Sequence, residues 1–177
     1  MKKILQILRL AIMLAFSISV GRAQPNNPLV HEGIVHAPVD QVWEAYATKA
    51  GLESWMAAHA DVDLRIGGAM KTQHDPKGST DDATAIVNTI LSFEPRRMIS
   101  LKVIKFPEGF PFPNAIREMW TIVYFEAQGK NATCVREVCL GFGPDDESRR
   151  MREFFNLNNA FTLELLQKRF APVVGVK

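Results

Sequence analysis

The sequence predicts an α+β fold: an antiparallel sheet followed by one long carboxy-terminal helix. Three observations carry this. β-rich runs separated by polar or glycine-containing turns recur between residues 61 and 142. Two short amphipathic segments precede them. After Asp145, apolar residues recur at helical spacing as far as Phe170.

Taken in order, Leu29 to His36 alternates weakly and reads as a strand. Pro38 can open a helix, where its missing N–H costs nothing. Val39, Val42, Trp43 and Tyr46 then fall at i, i+3, i+4 and i+7, one helical face. Gly51 interrupts, and Leu52, Trp55 and Met56 make a shorter amphipathic turn. Asp61 to Arg65 and Ala69 to His74 read as strands around a Gly67-Gly68 turn. A polar turn over 75–82 leads to strands at Thr84 to Phe93 and Met98 to Lys105. The loop Phe106-Pro107-Glu108-Gly109-Phe110-Pro111-Phe112-Pro113 interrupts the pattern. Glu118 to Glu126 and Thr133 to Phe142 form the last strand pair, turning at Gln128-Gly129-Lys130-Asn131. Asp145 and Asp146 can cap a helix over 147–170. Its apolar stripe holds Met151, Phe154, Phe155, Phe161, Leu165 and Leu166, with Asn158 and Thr162 inside it at 100° per residue. A buried, unpaired amide costs roughly 1 to 3 kcal/mol, so Asn158 should meet a protein group, water or a ligand. That points to a cavity.

Residues 1–23 read as a signal peptide. Lys2, Lys3 and Arg9 precede an apolar run from Leu10 to Val20, and Gly21-Arg22-Ala23 offers small residues for cleavage. The run is shorter than the roughly 20 residues a membrane-spanning helix needs. Ile4 to Leu8 could lengthen it into an uncleaved anchor, which is the alternative. With cleavage, the expectation is a periplasmic or secreted protein with no stable membrane span, and residues 24–177 form a single domain. The full chain has 21 basic and 19 acidic residues. Losing Lys2, Lys3, Arg9 and Arg22 leaves 17 against 19, a net −2. No basic stripe of the kind that holds phosphates remains, so nucleic acid is not expected as a partner.

Cys134 and Cys139 lie on one predicted strand, roughly 16 Å apart and on opposite faces. Two buried thiols are expected rather than a disulfide. His31, His36, His59 and His74 show no metal-ligand spacing, and no metal or redox cofactor is implied. Neither a nucleophile elbow nor a phosphate-binding glycine loop is present; His59, beside Trp55, could face a pocket.

On Ala37-Pro38-Val39-Asp40-Gln41-Val42-Trp43, Trp55, Asp63-Leu64-Arg65-Ile66-Gly67-Gly68, Gly129 with Thr133 and Val135, and Phe154-Phe155 to Leu165, the chain resembles the SRPBCC, or START-related, helix-grip superfamily. More narrowly it resembles the branch named after the activator of heat-shock-protein-90 ATPase homologue. The likeness spans residues 30–170. It implies a curved antiparallel sheet wrapped round the long helix, two short helices after the first strand, and an apolar cavity between sheet and helix. Members hold lipids, sterols, polyketides or plant hormones; some catalyse cyclisation and many only carry.

The candidate site residues follow from that plan. Trp55 is expected near the cavity mouth or floor, or as a core residue pinning the short helix. Phe110 and Phe112 form a lid, or a loop tucked over the core. The family pattern turns Glu137 inward and Trp120 outward, whereas hydrophobicity alone favours the reverse and brings Trp120 to the cavity. An inward Glu137 would have a raised pKa or a cationic partner, with Arg117 a candidate. It would also leave Trp120, Ile122, Tyr124 and Leu140 outside, as a homodimer interface. Phe154 and Phe161 would line the cavity, with Asn158 and Thr162 orienting a polar group. The expected function is the binding of a small hydrophobic or amphipathic molecule. The alternatives are a cyclase- or hydrolase-type enzyme using Glu137 or His59, and a protein-interaction module.

Overall fold

The computed structural model describes residues 27–172; segment 1–23, which the sequence pattern suggests is a signal peptide, lies outside the described residues. Seven strands form one antiparallel sheet: β1 (Leu29–Val35), β2 (His59–Val62), β3 (Ala69–Gln73), β4 (Ile86–Glu94), β5 (Met98–Lys105), β6 (Trp120–Ala127) and β7 (Thr133–Leu140). The helices are α1 (Val39–Ala47), α2 (Lys49–Glu53) and α3 (Asp146–Arg169), with a 3₁₀ turn at Ala115–Arg117. Strand order is β1-β7-β6-β5-β4-β3-β2, so the first strand pairs with the last. The sheet is curved and α3 lies across it, giving the α+β architecture expected from the sequence. Register shifts interrupt the regular pairing of β4 and β5 at Val87/Asn88 and Ile90/Ser92, which adds local twist there.

One strand differs from the sequence-based expectation. Asp61 to Arg65 was expected to be extended, but β2 starts at His59 and stops at Val62. Asp63 to Gly68 instead folds on itself, with Arg65 N–H donating to Asp63 O and Gly68 N–H to Arg65 O. A Cβ on Gly68 would sit 2.1 Å from the Asp63 carbonyl, and Gly67 has φ +77°, so both positions require glycine. Gly67 N–H and Gly68 C=O then pair with Ile90, docking the loop on β4.

The core lies where α1 and α2 meet the inner face of the sheet. Val42, Trp43, Tyr46 and Leu52 pack against Ile90, Ile99, Val123 and Phe125, all buried. The fully buried Thr133 donates its hydroxyl to Ala37 O at 2.9 Å, tying β7 to the turn into α1. A second cluster joins Phe112, Ile116 and Met119 to Met151 at the start of α3.

Helix α3 begins at an Asp145 cap, whose side chain accepts from Ser148 N–H at 2.9 Å. It buries Ser148, Met151, Leu163 and Leu166. Its approach to β1 is close because Gly33 has no side chain: a Cβ there would meet Gln167 Nε2 at 2.8 Å and Leu163 Cδ2 at 3.0 Å. The stripe packed on the sheet is therefore Met151, Phe155, Asn159, Leu163 and Leu166. Phe154, Asn158, Phe161 and Leu165 lie roughly a third of a turn away at 100° per residue. Phe154 and Phe161 remain 38% and 56% exposed.

Candidate functional site: an apolar cavity with one buried carboxyl

The rotated stripe on α3 leaves a hollow between helix and sheet of about 510 Å³, within the usual range for small-molecule sites. The sheet supplies Met70, Thr72, Leu101, Thr121, Val123 and Glu137 to its wall. Opposite them stand Phe154, Asn158, Phe161, Thr162 and Leu165 of α3. Tyr46 and Met56 close one end, and Phe106 and Phe110 another.

Pairing register turns Glu137 inward. It faces Val123 on β6 and His31 on β1, while its neighbour Arg136 points out over the Tyr124 ring at 4.7 Å. Glu137 is 7% exposed. Burial pushes its carboxyl up to about 7, because a charge there loses its hydration. The Tyr46 hydroxyl donates to Oε1 at 3.4 Å and opposes the shift only in part. Burial, and secondly the Glu137 charge, hold the Tyr46 phenol well above its ordinary range, so it stays a donor. The tilted ring of Trp55, 5.0 Å from that of Tyr46, and Phe125 at 5.1 Å fix the tyrosine in place.

Four other polar groups of the wall bond locally. Asn158 Nδ2 donates to Phe154 O at 2.8 Å, and the Thr162 hydroxyl donates to Asn158 O at 2.9 Å. Asn159 Nδ2 reaches the Cys139 sulfur at 3.2 Å, which Thr121 also contacts. Asn158 is exposed rather than buried as its position in the apolar stripe suggested, and it finds its partner one turn back on its own helix rather than across the interface.

Of the residues singled out by sequence, Phe110, Glu137, Phe154, Asn158, Phe161 and Thr162 line the cavity. Trp55, Phe112 and Trp120 do not. Trp55 packs against the core, with Nε1 donating to Ala45 O at 3.0 Å. Phe112 is buried behind the wall, its ring 5.6 Å from Phe110 and 5.7 Å from Phe154. Trp120 pairs with Leu140 and points to the outer face of the sheet, since alternate residues of β6 point oppositely and Thr121 and Val123 take the inner one. Arg117 is not the partner of Glu137; it is exposed and donates to Pro113 O at 3.1 Å. His59 bonds Pro76 O at 3.0 Å and lies outside the wall. Sequence reasoning missed Tyr46 and Asn159. For Tyr46 a signal existed: a hydroxyl closing the apolar stripe of α1 must find a partner once buried. Among the described residues no cluster of His, Cys, Asp or Glu could hold a metal ion.

The curved sheet, the long helix laid over it and the hollow between them define a helix-grip protein. Residues 36–161 match the family model described as "Activator of Hsp90 ATPase homolog 1-like protein", and the chain belongs to that family. Solved structures with this fold include protein MLL2253 from Mesorhizobium loti, at 17% identity and TM-score 0.62, covering 80% of this chain and 95% of that one. The Aha1 dimer from Colwellia psychrerythraea gives 15% identity and TM-score 0.62 over 84% and 98% of the two chains. CalU16 from Micromonospora echinospora gives 19% and 0.58 over 82% and 76%. At these identities the likeness establishes the fold. No curated protein matches the chain significantly.

Proposed function

We propose that this protein is an exported binding protein that takes a small amphipathic molecule between its sheet and α3. The observation that carries this reading is the 510 Å³ hollow, whose wall is predominantly apolar with a minority of polar groups. Burying a ligand there gains roughly 25 cal/mol per Å² of apolar surface, while the polar groups set orientation. Phe154 and Phe161, half-exposed on α3, give the ligand its first contact from solvent. The export part of the reading rests on the amino-terminal pattern alone, and a periplasmic fraction containing the shortened chain would support it.

Native mass spectrometry of the gently purified protein, followed by solvent extraction, tests the binding reading directly. A bound small molecule, or uptake of an apolar fluorescent dye, is expected. Leu101→Trp, which places an indole in the hollow, should abolish dye uptake while the folded circular-dichroism spectrum persists. Absence of both a co-purifying molecule and dye uptake in the wild-type protein would overturn the reading.

A second reading concerns assembly. Trp120, Ile122, Tyr124 and Leu140 form a half-exposed apolar strip on the outer face, continued by Val30 at 45% exposure. We infer that two copies pair through this strip. The relative from Colwellia psychrerythraea is described as a dimer. Sedimentation should give a dimer for the wild-type chain and a monomer for Trp120→Lys.

A further inference from the structure

The cavity contains one formally charged side chain at its interior, and that charge is negative. No lysine or arginine lines the wall. The two oxygens of Glu137 are unevenly served: Oε1 accepts from Tyr46 at 3.4 Å, and Oε2 accepts from no described residue. An ionised carboxylate has room for about four hydrogen bonds. The nearby side chains bond elsewhere: Asn159 and Thr121 meet the Cys139 sulfur, Asn158 bonds Phe154 O and Thr162 bonds Asn158 O, and none of them reaches Glu137. Whatever enters the hollow therefore meets open acceptor sites on Glu137 and, if the carboxyl is ionised, a negative charge that no lysine or arginine of the wall offsets.

Resting on the binding reading above, we propose that the ligand is an amphipathic amine, its protonated nitrogen held by Glu137 and its apolar body lying along Leu101, Phe154 and Phe161. An ammonium group brings up to three N–H donors and the missing positive charge at once. An alcohol brings one donor and no charge. A carboxylate would place a second anion beside a desolvated first, with no lysine or arginine in the wall to offset it. The cavity thus selects the head group by sign of charge and the body by apolar fit.

Four other titratable groups surround Glu137. Tyr46 faces it from α1, and His31 is its cross-strand partner on β1, with a buried Nδ1 that bonds to nothing described. Cys139 follows two residues along β7, and His74 stands on the distant β3 edge of the wall. With the Glu137 carboxyl near 7, an amine must expel its proton to bind. Affinity should therefore rise about tenfold between pH 6 and pH 8, tracking the ionised fraction.

The test uses the full chain and three probes sharing one aromatic body: 2-(1-naphthyl)ethylamine, 2-(1-naphthyl)ethanol and 1-naphthylacetic acid, titrated calorimetrically at pH 6, 7 and 8. The amine is expected to bind at least about tenfold more tightly than the alcohol at pH 8, one charge-assisted pair's worth, and the acid not to bind. Glu137→Gln should remove the preference for the amine and its pH dependence, whereas His31→Gln should retain both. Equal binding of amine and alcohol by the wild-type protein would overturn the amine assignment and leave the binding reading standing. So would an amine preference that survives Glu137→Gln. Should Glu137→Gln fail to fold, the wild-type head-group and pH series decide alone. If no probe binds and the apolar dye is also excluded, the binding reading itself falls.

Discussion

The hydroxyl of Tyr46 meets Oε1 of Glu137 at 3.4 Å across 91 residues of sequence, joining α1 to β7 at the wall of the cavity. This contact is long for a hydrogen bond. It leaves the carboxyl of Glu137 mostly uncompensated, which is why burial raises it to about 7.

A linked effect on stability follows. Between about pH 4.5 and 7 the folded protein holds a proton on Glu137 that the unfolded chain releases, so stability falls as pH rises through this window. The loss is of order 3 kcal/mol, complete above pH 7 and absent below pH 4.5. Glu137→Gln cannot ionise. Urea unfolding of both proteins from pH 4 to pH 8 should show the variant gaining about 3 kcal/mol relative to wild type by pH 8. A constant difference across that range would contradict the buried-acid assignment.

Gly33 sets how closely α3 approaches β1. Valine is the better strand former, yet its side chain would be forced against Leu163 Cδ2 and Gln167 Nε2. Gly33→Val should cost about 1–3 kcal/mol, the usual range for overpacking, measured by chemical denaturation. A stabilised Gly33→Val protein would show that α3 can lift from the sheet without loss.

Glu147 holds the aromatic loop to the start of α3. Its Oε1 accepts from the backbone N–H of Asn114 and Ala115 at 2.8 and 3.0 Å, and Oε2 from Asn114 Nδ2 at 3.1 Å. The Ala115 and Asn114 donors hold its carboxyl below the usual range. Glu147→Ala should speed amide exchange at Asn114 and Ala115 by about tenfold or more, as local opening becomes easier. Unchanged exchange at both amides would show that Phe110 and Phe112 alone anchor the loop.

Cys134 and Cys139 are both buried and free. Burial pushes both thiols up, foremost for each, and they sit on opposite faces of β7. Thiol reagents should label the native protein at least about tenfold more slowly than the urea-unfolded chain. Mild oxidation should leave the intact mass without the loss of two hydrogens. A readily formed internal disulfide would mean that β7 opens in solution.

The order of elements was legible in the chain because each carries a local signal. Alternation marked β5, β6 and β7, the 3.6-residue period marked α1 and α3, and Asp145 marked where α3 starts. The loop after β2 was misread because Asp61 to Arg65 looks extended, while the backbone bonds among Asp63, Arg65 and Gly68 close it into a turn. The sequence left Trp55 between cavity and core, and Trp120 between the cavity, favoured by hydrophobicity, and the outer face, favoured by the family pattern. Their destinations were set by a hydrogen bond to Ala45 and by the facing of β6.

Periodicity, capping and turn residues therefore determined which segments are strands and which are helices, since those preferences act over a few neighbouring residues. The tertiary structure alone decided which side of β7 faces inward, how α3 is rotated over the sheet, and that Tyr46 meets Glu137. Those outcomes depend on register and side-chain volume between segments far apart in the chain, as when the missing side chain of Gly33 admits Leu163 and Gln167. A one-residue shift in pairing would have turned Glu137 to solvent without changing a letter of the sequence.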